Sequence, residues 1–168
     1  MIDWEGILSQ DGPAVWRTAW RVLGNRADAD EVFQETFVAA VTYSRKHVVN
    51  HWRALLQRLA TARAIDRLRQ RVRLKNREMA LPVDHPQTSY AMPSVAAENA
   101  ELSAKLRTAL AEIPPRQAEV FCLFHLDGWS YPEIAEHLAI STDVVGVWLH
   151  RARGRLRELL GEMNEVSS

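Results

Sequence analysis

The sequence predicts an all-α chain of two small helical domains joined by a flexible linker. Three observations carry that prediction. Apolar residues recur at steps of three and four along nearly the whole chain, and no stretch alternates in the manner of a strand. Helix-stopping and helix-capping residues punctuate those runs at short intervals. One proline-rich stretch near the middle, LPVDHPQTSYAMPS, interrupts the periodicity.

In order, Trp16, Trp20 and Leu23 follow the helical step, and Gly24 stands where a helix stops. Asp28 and Glu31 form an N-terminal capping pattern for a second helix, whose predicted buried stripe is Phe33, Phe37, Ala40 and Val41. A polar, basic connection from Tyr43 to Asn50 leads to a long third helix. That helix sets Trp52, Leu55, Leu59, Ile65, Leu68 and Val72 on one side and arginines over much of the rest.

Periodicity then fails between Met79 and Ala97, where Pro82, Pro86 and Pro93 stand among polar residues, and this reads as a linker. The predicted domains are therefore residues 1–78 and 98–168, with 79–97 between them. The second domain opens on a helix bearing Leu102, Leu106, Leu110 and Ile113, which Pro114 and Pro115 break before starting the next. Val120, Phe121 and Phe124 lead to a turn at Asp127-Gly128, and Ser130 with Glu133 makes a capping box for a short helix holding Ile134, Ala135 and Leu138. After a break at Ala139-Ile140, Ser141 caps a last helix whose inward stripe is Val145, Leu149, Ala152 and Leu156. Arg151, Arg153, Arg155 and Arg157 lie mostly off that stripe.

Composition narrows the class of function. A chain of 168 residues, 47% hydrophobic and 25% charged, has the make-up of a water-soluble globular protein and is too short for a large enzyme barrel. The amino terminus, MIDWEGILSQDGP, lacks the basic and apolar regions of an export signal, and no stretch has the roughly 20 apolar residues of a spanning helix. No membrane insertion and a reducing, cytoplasmic setting are expected, the latter because Cys122 is the only cysteine. Cys122 and His125 share a helical face, but two ligands do not make a metal site, and Cys122 among Phe121 and Leu123 reads as core. Asp30 and Glu31 sit at an exposed helix start with no nucleophile or phosphate loop in view. Neither catalysis nor a cofactor is expected.

Charge is balanced overall, with 21 basic and 21 acidic residues, but unevenly spread. From Arg45 to Arg77 there are eleven basic residues and one acid, Asp66, a net charge of +10. From Asp28 to Glu35 lie four acids and no base. One face suits a polyanion and another a basic partner. The segment Ser130 to Arg157 has the order of a helix-turn-helix, whose second helix enters the DNA major groove with its amino-terminal residues at the base edges. Those positions are Thr142, Asp143, Gly146 and Val147, with His150 and Arg151 further along. The alternative is an αα-hairpin with solvated arginines. Of the two aromatics flanking the basic helix from Arg58 to Arg77, Trp52 lies on the apolar stripe, so Tyr43 is the candidate for stacking on an unpaired base.

Four segments in order, VWRTAWRVLGNRADADEVFQETFVAAV, ALLQRLATARAIDRLRQR, IPPRQAEVFCLFHLDGWSYPEIAEHLAIS and VWLHRARGRLREL, resemble a bacterial sigma-70-type RNA polymerase sigma factor of the extracytoplasmic function group. The resemblance covers about Val15 to Arg73 and Leu106 to Leu159. It implies a region 2 helical bundle in the first domain, a region 4 helix-turn-helix in the second, and a non-catalytic protein that binds core RNA polymerase, directs it to promoter DNA and helps open the duplex.

Site by site, Asp28, Asp30, Glu31, Gln34, Glu35 and Phe37 resemble the region 2 surface that docks on the clamp helices of the polymerase's largest subunit. Tyr43, Ala62, Arg63, Asp66, Arg67 and Arg69 resemble the part that reads the −10 element, the Tyr43–Asn50 loop holding an unstacked base. Ser141, Thr142, Asp143, Gly146, His150, Arg151 and Arg153 resemble the reader of the −35 element. The resemblance also implies control by an anti-sigma protein; with no long extension after Arg157, control by an appended domain is not expected. Three positions depart from the family pattern. Ala62 stands where asparagine is common and lacks the amide that bonds a base; Val144 replaces a frequent threonine; and Trp148 occupies a position that is often polar. Two rival readings are weaker. A stand-alone helix-turn-helix regulator gives the acidic helix no purpose, and a protein-only adaptor leaves the basic segment unexplained.

Overall fold

The computed structural model describes residues 1–80 and 95–166, the side chains of 95–99 excepted. Seven helices occupy them in the order α1 (Trp4–Leu23), α2 (Arg26–Ser44), α3 (Trp52–Ala80), α4 (Val95–Glu112), α5 (Pro115–His125), α6 (Tyr131–Leu138) and α7 (Thr142–Val166). Among the described residues there is no strand, as the unbroken helical spacing predicts. Helix reaches Ala80 and resumes at Val95, so both ends of the expected 79–97 linker are helical, while its middle, 81–94, lies outside the described residues.

Local capping explains most boundaries. Asp3 caps α1 by accepting the Gly6 N–H at 2.9 Å, so the helix starts at Trp4, twelve residues before Trp16, where the periodic stretch begins in the sequence. Pro13 sits inside α1 on its exposed side, and exposed Ser9, whose carbonyl Pro13 cannot bond, can be solvated. Gly24 ends α1 in the left-handed region at φ +62°, donating to the Trp20 carbonyl at 2.7 Å. The cap of α2 is Asn25, which accepts the Asp28 N–H; the expected Asp28/Glu31 pattern starts one turn too late.

Packing corrects three expectations. The buried stripe of α2 is Ala29, Val32, Thr36 and Ala40, whereas Phe33, Phe37 and Val41 are half-buried. The phenyl rings are too large for the closest approach of α1 and α3, and they flank it instead, 5.0 Å apart. Trp20 is 44% exposed, stacked on half-buried Trp16, and is not a core residue. Leu102 is exposed at the outer end of α4.

The first three helices and the last four pack on one another. One apolar cluster runs from Val22, Leu23, Val32, Ile65 and Leu68 through Leu110 and Ile113 to Cys122 and Leu156. Alanines 64, 109, 111, 118 and 152 let the helix backbones approach within it. A second cluster lies inside α5–α7 and takes Ala54 of α3 at its edge, and a third joins α1, α2 and α3 around Val15, Leu56 and Ala60.

Polar groups reinforce the joint. Arg69 donates to the carbonyls of Ala111 and Ile113 at 3.0 and 2.9 Å, at the end of α4. Arg107 Nε reaches the Val22 carbonyl at 3.2 Å, and the Trp129 indole N–H reaches Gln57 Oε1 at 3.3 Å. Linker composition alone does not foretell this closure.

Candidate nucleic-acid and protein interfaces

The predicted docking residues occupy the outer face of α2. Asp30, Glu31, Gln34 and Glu35 are exposed and Asp28 is partly so. Asp30 accepts the Trp16 indole N–H at 2.7 Å, which ties its carboxylate to α1. Phe37 is half-buried against Phe33 and the third cluster, so only its outer edge adds to this face.

The acids do not stand alone. Arg67 of α3 lies across α2, with Nη1 2.5 Å from Glu31 and 4.0 Å from Asp28 and Nη2 2.9 Å from Glu35. Burial works to lower its pKa, but Glu31, Glu35 and Asp28 together hold it above the ordinary arginine value. One turn on, Arg71 bonds Asp28 at 3.0 Å and the Leu23 carbonyl at 2.9 Å. The run of positive charge on α3 is thus partly neutralised by the run of negative charge on α2, a pairing hidden in the sequence because the partners stand 32 to 43 residues apart.

Beside these ion pairs opens a groove of about 920 Å³ between α2 and α3, with Glu31, Glu35, Val38, Tyr43, Leu59 and Arg63 on its walls. It brings together Tyr43 and Arg63, two of the predicted −10 residues. His47 stacks on Tyr43 at a centroid distance of 4.2 Å and 17° between planes, covering one ring face. The i, i+4 spacing of Tyr43 and His47 was a readable signal for that pair. Ala62 is half-buried, Asp66 is exposed, and Arg69 is turned to the end of α4. The predicted −10 set is therefore split between a groove, an ion-pair cluster and an inter-helix joint.

The helix-turn-helix is built as its capping residues require. Ser130 and Glu133 bond reciprocally at 3.3 and 3.1 Å, closing the capping box that starts α6. Ala139 then takes the left-handed conformation at φ 54°, reversing the chain within one residue. Ser141 accepts the Val144 N–H at 3.2 Å, so its hydroxyl serves α7 itself. Thr142, Asp143, Val147, His150 and Arg151 are exposed at the start of α7 and, with Gly146 and Tyr131, line one shallow depression. Tyr131 was not foreseen there. Arg153 is withdrawn from this face: it donates to His125 Nε2 at 3.1 Å and lies 5.5 Å over the Phe124 ring. Trp148, half-buried, packs on the α5–α7 cluster, which accounts for an aromatic at that position.

Two acids are buried near the joint between the helix sets. Asp127, with a side chain 2% exposed, accepts from the Thr18 hydroxyl at 2.9 Å and lies 4.0 Å from Arg21. Burial raises its pKa against the lowering pull of these partners. Glu119 is likewise raised by burial, opposed chiefly by Arg116. Cys122 is buried, and burial pushes its thiol up to about 12, so it remains protonated. Among the described residues no three His, Cys, Asp or Glu side chains are placed to hold a metal ion, and no helix is long and apolar enough to cross a membrane.

Comparison with known proteins finds two family models along the chain. The family model for sigma-70 region 2 matches residues 7–74, and that for sigma-70 region 4 matches residues 103–156. The ECF RNA polymerase sigma factor SigE of Mycolicibacterium smegmatis is 28% identical over 162 residues, covering 96% of this chain; the chain spans 63% of the length of that relative. The ECF RNA polymerase sigma factor SigW of Bacillus subtilis is 27% identical over 157 residues, covering 89% of this chain and 84% of SigW. Among solved structures, the sigma factor RpoE in complex with the anti-sigma factor NepR from Bartonella quintana superposes with a TM-score of 0.56 at 20% identity, over 95% of this chain and 97% of that one. With both regions matched in order across most of its length, the chain belongs to the sigma-70 family, in its extracytoplasmic function group.

Proposed function

We propose that this protein is a transcription initiation factor that binds core RNA polymerase, directs it to specific promoters and aids their opening, with no catalysis and no cofactor of its own, in the cytoplasm. The observation that carries the proposal is the ordered match of regions 2 and 4 on one chain, alongside relatives named as RNA polymerase sigma factors. Asp30, Glu31, Gln34 and Glu35, with Asp28 and the edge of Phe37, supply an acidic ridge for the polymerase clamp helices. Tyr43, Arg63 and Arg67, with Ala62 and Asp66, serve the −10 element, while Arg69, bonded to the carbonyls of Ala111 and Ile113, braces the joint beneath it. Thr142, Asp143, Gly146, His150 and Arg151 face the −35 element, Ser141 setting the helix start and Arg153 bracing it. The two units are residues 1–78 and 98–168. The likeness to a sigma factor captured with an anti-sigma factor supports the same kind of control here.

Run-off transcription with purified core polymerase on fragmented genomic DNA tests this. New start sites preceded by one shared pair of elements are expected only when the protein is added. Folded protein that neither binds core polymerase nor yields such starts would overturn the reading and favour a stand-alone DNA-binding regulator.

A further inference from the structure

Three neighbouring arginines of α3 are held in different ways. Arg69 bonds only backbone carbonyls of α4 and its exit, and Arg71 bonds a carbonyl of α1 as well as Asp28. Such bonds tie helices together and resist exchange. Arg67 is different: its partners Glu31, Glu35 and Asp28 are all carboxylates of α2. Glu31 and Glu35 are 58% and 51% exposed, while Arg67 is 27% exposed.

An incoming cation can therefore reach both glutamates from solvent without disturbing the core. Exposed ion pairs are weak and exchange readily with a competing charge. The same guanidinium borders the groove that holds Arg63 and Tyr43, since Glu31 and Glu35 line that groove. Once released, it adds one positive charge beside two residues of the proposed −10 surface.

We infer that Arg67 couples the two tasks of the amino-terminal helices: the acids of α2 hold it in the free protein, and a basic polymerase surface that claims Glu31 and Glu35 frees it for DNA phosphate. This rests on the docking and −10 assignments proposed above. Arg67 is then a positioning device as well as a contact. In the free protein the docking acids occupy the place of phosphate, and docking removes them from it. Protein binding and DNA binding reinforce each other through a single side chain.

The test is a mutant cycle on the full chain, read by anisotropy of a fluorescein-labelled, mixed-sequence DNA single strand of about 20 nucleotides across a series of salt concentrations. Glu31→Gln/Glu35→Gln is expected to bind about fivefold more tightly than wild type, with a log-log salt slope steeper by about 0.7, the value for one added phosphate contact on a single strand. Adding Arg67→Ala to that pair is expected to abolish both gains. A charge-matched control, Glu5→Gln/Asp11→Asn, is expected to leave the slope unchanged. No gain in the first variant, a gain that survives loss of Arg67, or an equal slope change in the control each overturns the coupling. Binding of wild-type protein to core polymerase is measured separately: its absence defeats the docking assignment and the coupling with it, whereas a failed DNA cycle with intact core binding defeats the coupling alone.

Discussion

The Thr18 hydroxyl donates to Asp127 Oδ1 at 2.9 Å, joining residues 109 positions apart and pinning α1 to the turn after α5. The carboxylate it holds is buried, and its pKa lies above the ordinary value, as does that of Glu119, in both cases through burial. For an acid raised on folding, the folded state binds more protons than the unfolded state between the two pKa values. Stability contributed by these groups is thus highest below that window and falls as pH rises through it. Asp127→Asn/Glu119→Gln removes the effect, since amides do not titrate. Calorimetry between about pH 4 and 7 should show Tm declining less, or rising more, with pH in the variant than in wild type; parallel curves would refute the assignment.

Leu68 is fully buried in the cluster that both helix sets share. Leu68→Ala should cost about 2 to 5 kcal/mol through lost contacts and a residual cavity. Because the cluster is common property, helix content and tryptophan fluorescence should shift together to lower denaturant. Separation of the two transitions would show that the sets unfold independently.

At the helix-turn-helix break, Ala139 has φ 54°, where a Cβ costs about 1 to 2 kcal/mol. Ala139→Gly relieves that crowding. A rise in Tm of about 2 to 4 °C per kcal/mol regained is expected by thermal denaturation, and a fall in Tm would mean that the methyl group is needed where it lies.

Arg151 and Arg153 are neighbours in sequence with opposite surroundings, one exposed and the other stacked over Phe124 and bonded to His125. Arg151→Ala should weaken use of the −35 element by about 1 to 3 kcal/mol if it meets a base, with little change in Tm. Arg153→Ala should lower Tm and leave the preferred element unchanged. Transcription from promoters varied at the −35 element, run beside a melting curve, separates the two; an altered base preference in Arg153→Ala would reverse the assignment.

Much of this architecture was legible in the sequence because it is local. The capping box of Ser130 and Glu133, the stop at Gly24, the Pro115 start and the inward stripe of α7 each depend on residues within a turn or two, and each lies where periodicity puts it. Less legible were features that depend on distant partners. Periodicity marks Trp20 as apolar but cannot tell that α1 turns it outward. Composition shows a basic stretch and an acidic stretch but not that Arg67 and Arg71 lie across the acids. Asp127 reads as a turn residue, and nothing within ten positions reveals that Thr18 and Arg21 enclose it. The candidate surfaces follow the same division: the start of α7 is a local product and was foreseen, whereas the fates of Arg69 and Arg153 are set by α4 and α5.

The bonds from Arg69 to the last carbonyls of α4 carry a further consequence for how the chain is made. Pro114 and Pro115 stand three and four residues after Ala111 and have no N–H with which to satisfy its carbonyl, so the donor comes from a helix synthesised some forty residues earlier. Growth on the ribosome proceeds from the amino end. By the time α4 emerges, α3 is already made, so the donor that closes the end of α4 precedes in synthesis the carbonyls it serves.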